Sequence, residues 1–178
     1  MVSEEDCLFC KIVRGDIPSK KVYEDSETLA ILDINPASEG HVLVMPKKHS
    51  ETLFEVDKED LKAAISTVQK VSMKIKETLN PDGLNVVQNN GEQAGQVIAH
   101  THFHVVPRYK DDKIIIGFPR DQTDEAKLDE ILNKLRIETE KPVEEPKEPE
   151  PAKEEPQRDF SPTQDEEELP KVDDKWDF

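Results

Sequence analysis

The chain has 178 residues, with 40 acidic and 24 basic side chains and a formal net charge of −16. This length allows one ordinary domain with an appendage, or at most two small domains. The acidic balance argues against sequence-independent binding to duplex nucleic acid, which needs a basic surface. No apolar run approaches the roughly 20 residues of a membrane-spanning helix, and the acidic start is unlike a signal peptide. The sequence therefore predicts a cytoplasmic protein that binds neither nucleic acid nor a membrane.

The only two cysteines, Cys7 and Cys10, are spaced C-x-x-C near the start of the chain. In a reducing cytoplasm this spacing favours a metal-binding pair or a redox pair over a structural disulfide. Residues 7–17 are predicted to form a short helical turn, which Gly15 and Pro18 end. The spacing alone leaves the metal and redox interpretations open.

Three strands are predicted next. Residues 21–24 and 28–32 indicate a hairpin, and Asp33 follows at the strand end, where loop residues often bind ligands. Residues 40–46 form the third strand, which contains His41 and is followed by Lys47-Lys48-His49. If this strand pairs with the later strand that carries His100, His102 and His104, His41 or His49 would join the same site. Periodicity alone does not establish that pairing.

The clearest predicted helix covers residues 57–79, where apolar side chains recur at helical spacing. A fourth strand over residues 84–88 leads into a loop rich in amides and glycines, residues 89–96. Small residues let a loop backbone approach a ligand closely. Asn89 and Gln96 are therefore placed to offer neutral hydrogen-bond donors.

His100, His102 and His104 alternate with Thr101, Phe103 and Val105, the pattern of a strand with one polar and one core-facing side. We expect Phe103 and Val105 to enter the core. Three imidazoles at this spacing suit two chemistries. They could hold one zinc ion with an open position for water. Alternatively, one could attack phosphorus while its neighbours donate hydrogen bonds to the phosphate oxygens.

The last third of the chain changes character. Residues 113–118 are predicted to add a strand or to cover an apolar face. Residues 123–137 are predicted to form a second helix, with Leu128, Ile131, Leu132 and Leu135 on its buried side. Residues 138–178 contain 16 acidic and 6 basic side chains and 7 prolines. Such a composition buries too little apolar surface to offset the entropy of ordering. The predicted organisation is a domain over residues 1–137 and an acidic, Pro/Glu-rich disordered tail over residues 138–178.

Several motifs occur in the order found in the histidine triad (HIT) family of nucleotide hydrolases and transferases. They include Cys7-Leu8-Phe9-Cys10, Leu32-Asp33-Ile34, the run from Gly40 to His49, Asn89-Asn90-Gly91, and Gly95-Gln96 followed by His100-Thr101-His102-Phe103-His104. The chain resembles this family over roughly residues 5–137, and most closely its zinc-containing branch. The resemblance implies an α+β fold with a mostly antiparallel sheet and two main helices. It also implies a homodimer in which two sheets pair into one.

The same resemblance implies a function. His102 would be the nucleophile that attacks the α-phosphorus of a dinucleoside polyphosphate or a nucleoside phosphoramidate, giving a nucleotidyl-histidine that water hydrolyses. His104, His41, Asn89 and Gln96 would surround the phosphate with hydrogen-bond donors. Phe9 and Ile34 would line the pocket for the base, which we expect to be adenine. Asp33 would bind the ribose hydroxyls.

The resemblance further implies a structural zinc ion bound by Cys7, Cys10, His49 and His100. A Cys₂His₂ set is a closed tetrahedral shell without a position for substrate. One departure concerns position 97. Many members carry serine or threonine there, whereas this chain has Val97, which leaves the leaving-group preference open.

Two other classes of function remain. The first is a non-catalytic nucleotide-binding or scaffold protein that recruits a partner through its acidic tail, where Trp176 and Phe178 are apolar anchors. The second is a redox protein that uses Cys7 and Cys10 without bound metal.

Overall fold

The computed structural model describes residues 2–118 and 122–137. The chain divides into two units after Pro119. The first unit contains two α-helices, a short 3₁₀ turn over Glu92–Ala94, and five strands. The helices are α1 (Leu8–Arg14) and α2 (Lys58–Leu79), and the strands are β1 (Lys21–Glu24), β2 (Thr28–Leu32), β3 (Val42–Pro46), β4 (Gly83–Gln88) and β5 (Phe103–Arg108).

The five strands form one sheet in the order β1-β2-β3-β5-β4, and every neighbouring pair is antiparallel. The predicted α+β fold with an antiparallel sheet is confirmed. In the centre of the sheet, β5 lies between β3 and β4, so that His104 is opposite Leu43 on one side and Val87 on the other. The edge strands are β1 and β4.

Helices cover both faces of the sheet at its centre. Helix α2 packs on the face that includes Ala30, Val44, Phe103 and Val105. The side chains that alternate with these along β2 and β3 point to the opposite face. Leu29, Leu43 and Met45 are among them, and they pack against α1 and the two cysteines. The prediction that Phe103 and Val105 enter the core is confirmed. Because side chains alternate along a strand, His104 lies on the α1 face, and the chemistry of the chain is on that face.

The prediction of a continuous strand from His100 is wrong, because β5 begins only at Phe103. The amide of Thr101 donates instead to the carbonyl of Ser50 (2.7 Å), outside the sheet. The three histidines therefore do not form one row. His100 is fully buried beside the cysteines, whereas His102 and His104 line a cavity. Likewise, β3 begins at Val42 and not at residue 40, and residues 113–118 form no strand.

The described part of the second unit is α3 (Glu125–Leu135), which confirms the second predicted helix. Asp124 caps it by accepting a hydrogen bond from the amide of Lys127 (2.8 Å). The predicted buried side of this helix is wrong, because its members are exposed: Leu128, Ile131, Leu132 and Leu135. No helix in either described range is long and apolar enough to cross a membrane. The predicted tail, residues 138–178, lies outside the described residues.

Asp25 holds the β1–β2 hairpin together. Its carboxylate accepts hydrogen bonds from the amides of Glu27 (2.9 Å) and Thr28 (2.7 Å) and from the hydroxyls of Thr28 and Tyr23. The Thr28 hydroxyl also meets that of Thr67 in α2 (2.9 Å), which links the hairpin to the helix. Burial raises the pKa of Asp25, but these hydrogen bonds outweigh it and lower the pKa to about 2.

We expect Asp25→Asn to lower the free energy of unfolding by about 1 kcal/mol at pH 7, because it removes the charged acceptor of four donors that are part-buried or exposed. A carboxyl whose folded pKa is depressed stabilises the protein above its unfolded pKa and loses this effect as the pH falls toward the folded value. Urea unfolding at pH 7 and near pH 2 measures both effects. The difference between the two proteins should shrink at the lower pH, and equal stability at pH 7 would contradict the role of Asp25.

Candidate active site and metal centre

A cavity of about 420 Å³ opens on the α1 face of the sheet. Its wall is mostly apolar, with Leu8, Phe9, Ile12, Ile17, Ile31, Leu43, Val97 and Ile98 among its members. Its polar members include Asp33, His102 and His104. A largely apolar cavity with a few convergent polar groups is typical of a small-molecule site.

His102 is 5% exposed, and a short hydrogen bond sets its tautomer. Its Nδ1 lies 2.6 Å from the carbonyl oxygen of His100, so Nδ1–H donates and Nε2 keeps a free electron pair. The ring of Phe9 meets that of His102 edge-on, with centroids 5.0 Å apart. Burial lowers the pKa of His102 more than the bond to His100 raises it, so the ring is neutral at pH 7. A neutral, oriented imidazole is a nucleophile.

His41 and His104 form a hydrogen-bonded pair beside His102. Nε2 of His41 lies 3.1 Å from Nδ1 of His104, and the amide of Ala37 donates to Nδ1 of His41 (3.2 Å). Nε2–H of His41 therefore donates to His104, which leaves a hydrogen on Nε2 of His104. Burial lowers the pKa of His41 despite Asp33, and burial with the nearby His102 and His41 lowers that of His104 to about 4. His104 is thus a neutral hydrogen-bond donor at pH 7.

The turn that carries His41 depends on Gly40. Gly40 has a φ of +82°, which other residues rarely adopt, and a side chain there would collide with Leu79. Asp33 follows β2 on the other side of this turn, and its carboxylate lies 3.4 Å from Nδ1 of His41. Asp33, His41 and His104 are close enough to hold a metal ion. However, both nitrogens of His41 already have hydrogen-bond partners, the Ala37 amide on Nδ1 and His104 on Nε2. We therefore interpret His41 and His104 as a hydrogen-bonded pair with the Asp33 carboxylate beside it, and not as a metal site.

A second cluster brings together Cys7, Cys10, His49 and His100. Nδ1 of His100 lies 3.5 Å from each sulfur and 3.4 Å from Nδ1 of His49, and Cys10 Sγ lies 3.3 Å from His49. Bonds of about 2.3 Å to sulfur and about 2.0 Å to nitrogen place tetrahedral ligands roughly 3.3–3.8 Å apart. The four donors therefore have the spacing of a tetrahedral metal site.

The protonation of this cluster also suits a metal ion. Nε2–H of His100 donates to the carbonyl of Pro46 (2.9 Å), which leaves Nδ1 free to coordinate and fixes the ring. Burial lowers the pKa of His100 to about 4, so its Nδ1 carries no proton at pH 7. Burial and the neighbouring Cys7 raise the pKa of the Cys10 thiol to about 12. A bound cation would displace that thiol proton.

Of the five predicted substrate-binding residues, three line the cavity and two do not. Phe9, Asp33 and Ile34 line the cavity. Gln96 does not, since its amide accepts from the Gly91 amide (2.7 Å) and donates to the carbonyls of Glu51 (2.6 Å) and Ile98 (3.1 Å). Asn89 does not line the cavity either, although its side-chain nitrogen lies close to Gly95, which does. The roles predicted for Asn89 and Gln96 remain predictions.

Sequence reasoning missed three polar residues of the cavity wall, Ser19, Lys20 and Asn35. They come together because the amide of Leu32 donates to the carbonyl of Lys20 (2.9 Å), which joins the residue before β1 to the end of β2. The Ser19 hydroxyl is buried and has no hydrogen-bond partner within the described part of the chain. Isolated polar residues carry no periodic signal, so only the strand register reveals them.

Comparison with known proteins identifies several relatives. Residues 14–111 match the family described as HIT domain. An adenosine 5'-monophosphoramidase of Candida albicans is 40% identical over 144 residues, which cover 78% of this chain and 94% of the relative. An adenylylsulfatase of Arabidopsis thaliana is 47% identical over 109 residues, which cover 61% of this chain and 55% of the relative.

Solved structures share the fold. A member of the HIT family from Bacillus subtilis has a TM-score of 0.72 and 39% identity, covering 76% of this chain and 99% of that one. A zinc-bound histidine triad family protein from Mycobacterium smegmatis has a TM-score of 0.59 and 37% identity, covering 72% of this chain and 99% of that one.

Proposed function

The chain belongs to the HIT domain family, and from this premise we propose that it is a nucleotide hydrolase with His102 as its nucleophile. The observation that carries the proposal is the hydrogen bond from Nδ1–H of His102 to the His100 carbonyl. This bond leaves the electron pair of Nε2 free on a residue that lines the cavity. Both related enzymes named above act, by their names, on an adenosine 5'-phosphoryl compound.

The reaction proceeds in two steps. Nε2 of His102 attacks the α-phosphorus, the bond to the leaving group breaks, and the nucleotide becomes attached to His102 through a P–N bond. Water then attacks the same phosphorus, which releases the nucleotide and restores the imidazole. Nε2–H of His104 donates to a phosphate oxygen, which stabilises the charge that develops on it. His41 holds His104 in the tautomer that carries this hydrogen.

The cavity wall suits the rest of a nucleotide. Phe9, Ile12, Ile17 and Ile31 offer apolar surface for a flat base. Ser19 adds a buried hydroxyl without a partner among the described residues, which suits a polar edge of that base. Asp33 is an acceptor for the ribose hydroxyls. We propose adenine as the base, in line with the named relatives.

We propose Zn²⁺ for the Cys7, Cys10, His49 and His100 cluster, since two thiols and two imidazoles are the donors that structural zinc prefers. One of the related solved structures is zinc-bound by its title. When bound, the ion would cross-link segments and would not contact the reacting atoms, because protein fills all four ligand positions.

We further propose a homodimer that pairs through β4. This strand is an edge of the sheet, and the exposed Val86 lies on it. An unpaired edge strand with exposed apolar side chains favours pairing with a second chain. The cytoplasmic location remains a prediction from the sequence. Partner recruitment through Trp176 and Phe178, and with it the scaffold alternative, remains a prediction about residues outside those described.

His102→Ala should reduce turnover of a nucleoside phosphoramidate by about 10⁴-fold or more, because removing a nucleophile removes the covalent route. Metal content and thermal stability should stay close to those of the wild type. Steady-state kinetics measures the loss, and acid-quenched mass spectrometry of the wild type should find the nucleotide on His102. Full activity in the variant, or an adduct on another residue, would contradict the assignment.

Elemental analysis of the purified protein should find about one zinc per chain, and Cys7→Ser combined with Cys10→Ser should remove it. His41→Asn is the matched control, because it removes a histidine from the other cluster that has metal-ligand spacing. The control should keep its zinc. If the double variant kept its zinc and His41→Asn lost it, the ion would be bound by Asp33, His41 and His104 instead, which would contradict the assignment.

Val97 lines the cavity with an aliphatic side chain, which offers no hydrogen bond to a leaving group. We therefore expect slow release of leaving groups that must be protonated. An amine leaving a phosphoramidate must be protonated, whereas sulfate leaves as an anion. Val97→Thr adds a hydroxyl at nearly constant volume. It should raise the kcat/KM ratio of adenosine 5'-phosphoramidate to adenylyl sulfate about 3- to 10-fold, the effect of one hydrogen bond. Val97→Ala should not. An unchanged ratio in Val97→Thr would refute this reasoning.

A further inference from the structure

The cysteine–histidine cluster and the cavity share two stretches of sequence. Phe9 stands between Cys7 and Cys10, and His102 follows His100 by two residues. Each stretch therefore carries donors to the cluster and also a side chain of the cavity wall. A shift of the cluster would move both Phe9 and His102.

Two contacts connect the cluster to the ring of His102. The first is the hydrogen bond from its Nδ1–H to the carbonyl of His100, at 2.6 Å. The second is the edge-on packing of Phe9, whose ring lies 5.0 Å from that of His102 and 5.9 Å from that of His100. These two contacts restrict both the tautomer and the rotation of the His102 ring.

The backbone around His102 has little support from the sheet. Residues 95–102, here named the approach segment, precede β5 and lie outside any strand. Hydrogen bonds from Thr101 and Gln96 tie this segment to the carbonyls of Ser50 and Glu51, just after His49. Toward α1, the polar contacts described are those of the cysteine sulfurs with His100 and a 3.9 Å contact of Cys7 Sγ with the Ala99 carbonyl. Sulfur is a weak hydrogen-bonding atom.

A metal ion in the cluster would replace these weak contacts with four bonds. They would fasten three separate segments to one point: α1 through Cys7 and Cys10, the end of β3 through His49, and the approach segment through His100. Coordination also requires His100 to keep Nδ1 toward the ion, the orientation that its bond to Pro46 already favours.

We propose that the metal centre positions the nucleophile, with Phe9 and the carbonyl of His100 as the two contacts that transmit its effect to His102. This inference rests on the proposed function and deepens it. Phe9 is then a positioning residue in addition to a wall of the base pocket. The metal centre is part of the catalytic geometry and not only a stabilising cross-link.

The test follows the His102 ring directly by ¹⁵N NMR in nucleotide-free protein, with and without zinc removal by a chelator. In the zinc-loaded protein we expect a protonated Nδ1 and an unprotonated Nε2. After zinc removal we expect the two ring nitrogens to average between tautomers, while backbone signals of α2 keep their positions. Unchanged His102 signals in folded, zinc-free protein would overturn the proposal.

A second variant keeps the test decisive if the zinc-free protein does not fold. Phe9→Leu retains an apolar side chain and all four metal ligands. Val13→Ala is its control, because Val13 is a partly buried residue of the same helix that does not line the cavity. In zinc-loaded Phe9→Leu we expect a changed His102 ¹⁵N spectrum and a 10- to 100-fold slower formation of the nucleotide adduct, the usual loss for a residue that orients a site. KM should rise as well, because Phe9 also lines the base pocket, so the His102 spectrum and the rate of adduct formation at saturating substrate decide the test.

A rise in KM alone, with an unchanged His102 spectrum, would limit Phe9 to contact with the base and overturn the proposal. The spectrum needs no turnover, so a failure of the proposed chemistry is separable from a failure of positioning. If His102→Ala kept full activity while the wild-type His102 tautomer still depended on zinc, the proposed function would be refuted. The coupling between the metal centre and His102 would stand.

Discussion

The hydrogen bond from His102 to the carbonyl of His100 is the constraint on which the rest of the site depends. It requires that the backbone of His100 be free of the sheet, since a carbonyl inside a regular ladder is occupied by the neighbouring strand. The late start of β5, at Phe103, meets this requirement. The same irregular backbone lets His100 turn toward the cysteines while His102 and His104 face the cavity. One local departure from strand geometry thus separates the cysteine–histidine cluster from the proposed nucleophile.

Burial is the second constraint, because every proposed role needs an uncharged imidazole. His41, His100 and His102 are buried and His104 is partly buried, and burial is the main reason that the pKa of each is lowered. A neutral ring has one donor and one acceptor nitrogen, so each hydrogen bond decides which atom remains available. Three backbone groups fix these tautomers: the Ala37 amide for His41, the Pro46 carbonyl for His100 and the His100 carbonyl for His102. The backbone therefore determines where lone pairs and hydrogens point.

The sheet explains why both centres lie on one side of the molecule. Helix α2 covers one face with aliphatic side chains and supplies no residue of either centre. The shorter α1 covers the other face only in part, which leaves room for the cavity beside it. The cysteines at the start of α1 and His49 after β3 then reach the buried His100. The short helix α1, with the two cysteines at its start, therefore covers part of the core and also forms part of the cavity wall.

The sequence by itself determined the fold class, the core positions Phe103 and Val105, the two long helices, and the pairing of two cysteines with two particular histidines. Periodicity and motif spacing carry this information, because they depend on residues near one another in the chain or on a pattern shared with relatives. Only the tertiary structure decided where β5 begins, which carbonyl orients His102, and that the side-chain amide of Gln96 is occupied by Gly91, Ile98 and the distant Glu51. It also decided that Ser19, Lys20 and Asn35 join the cavity wall. These features arise from hydrogen bonds and contacts between distant segments, and an isolated polar residue leaves no periodic trace of its partner.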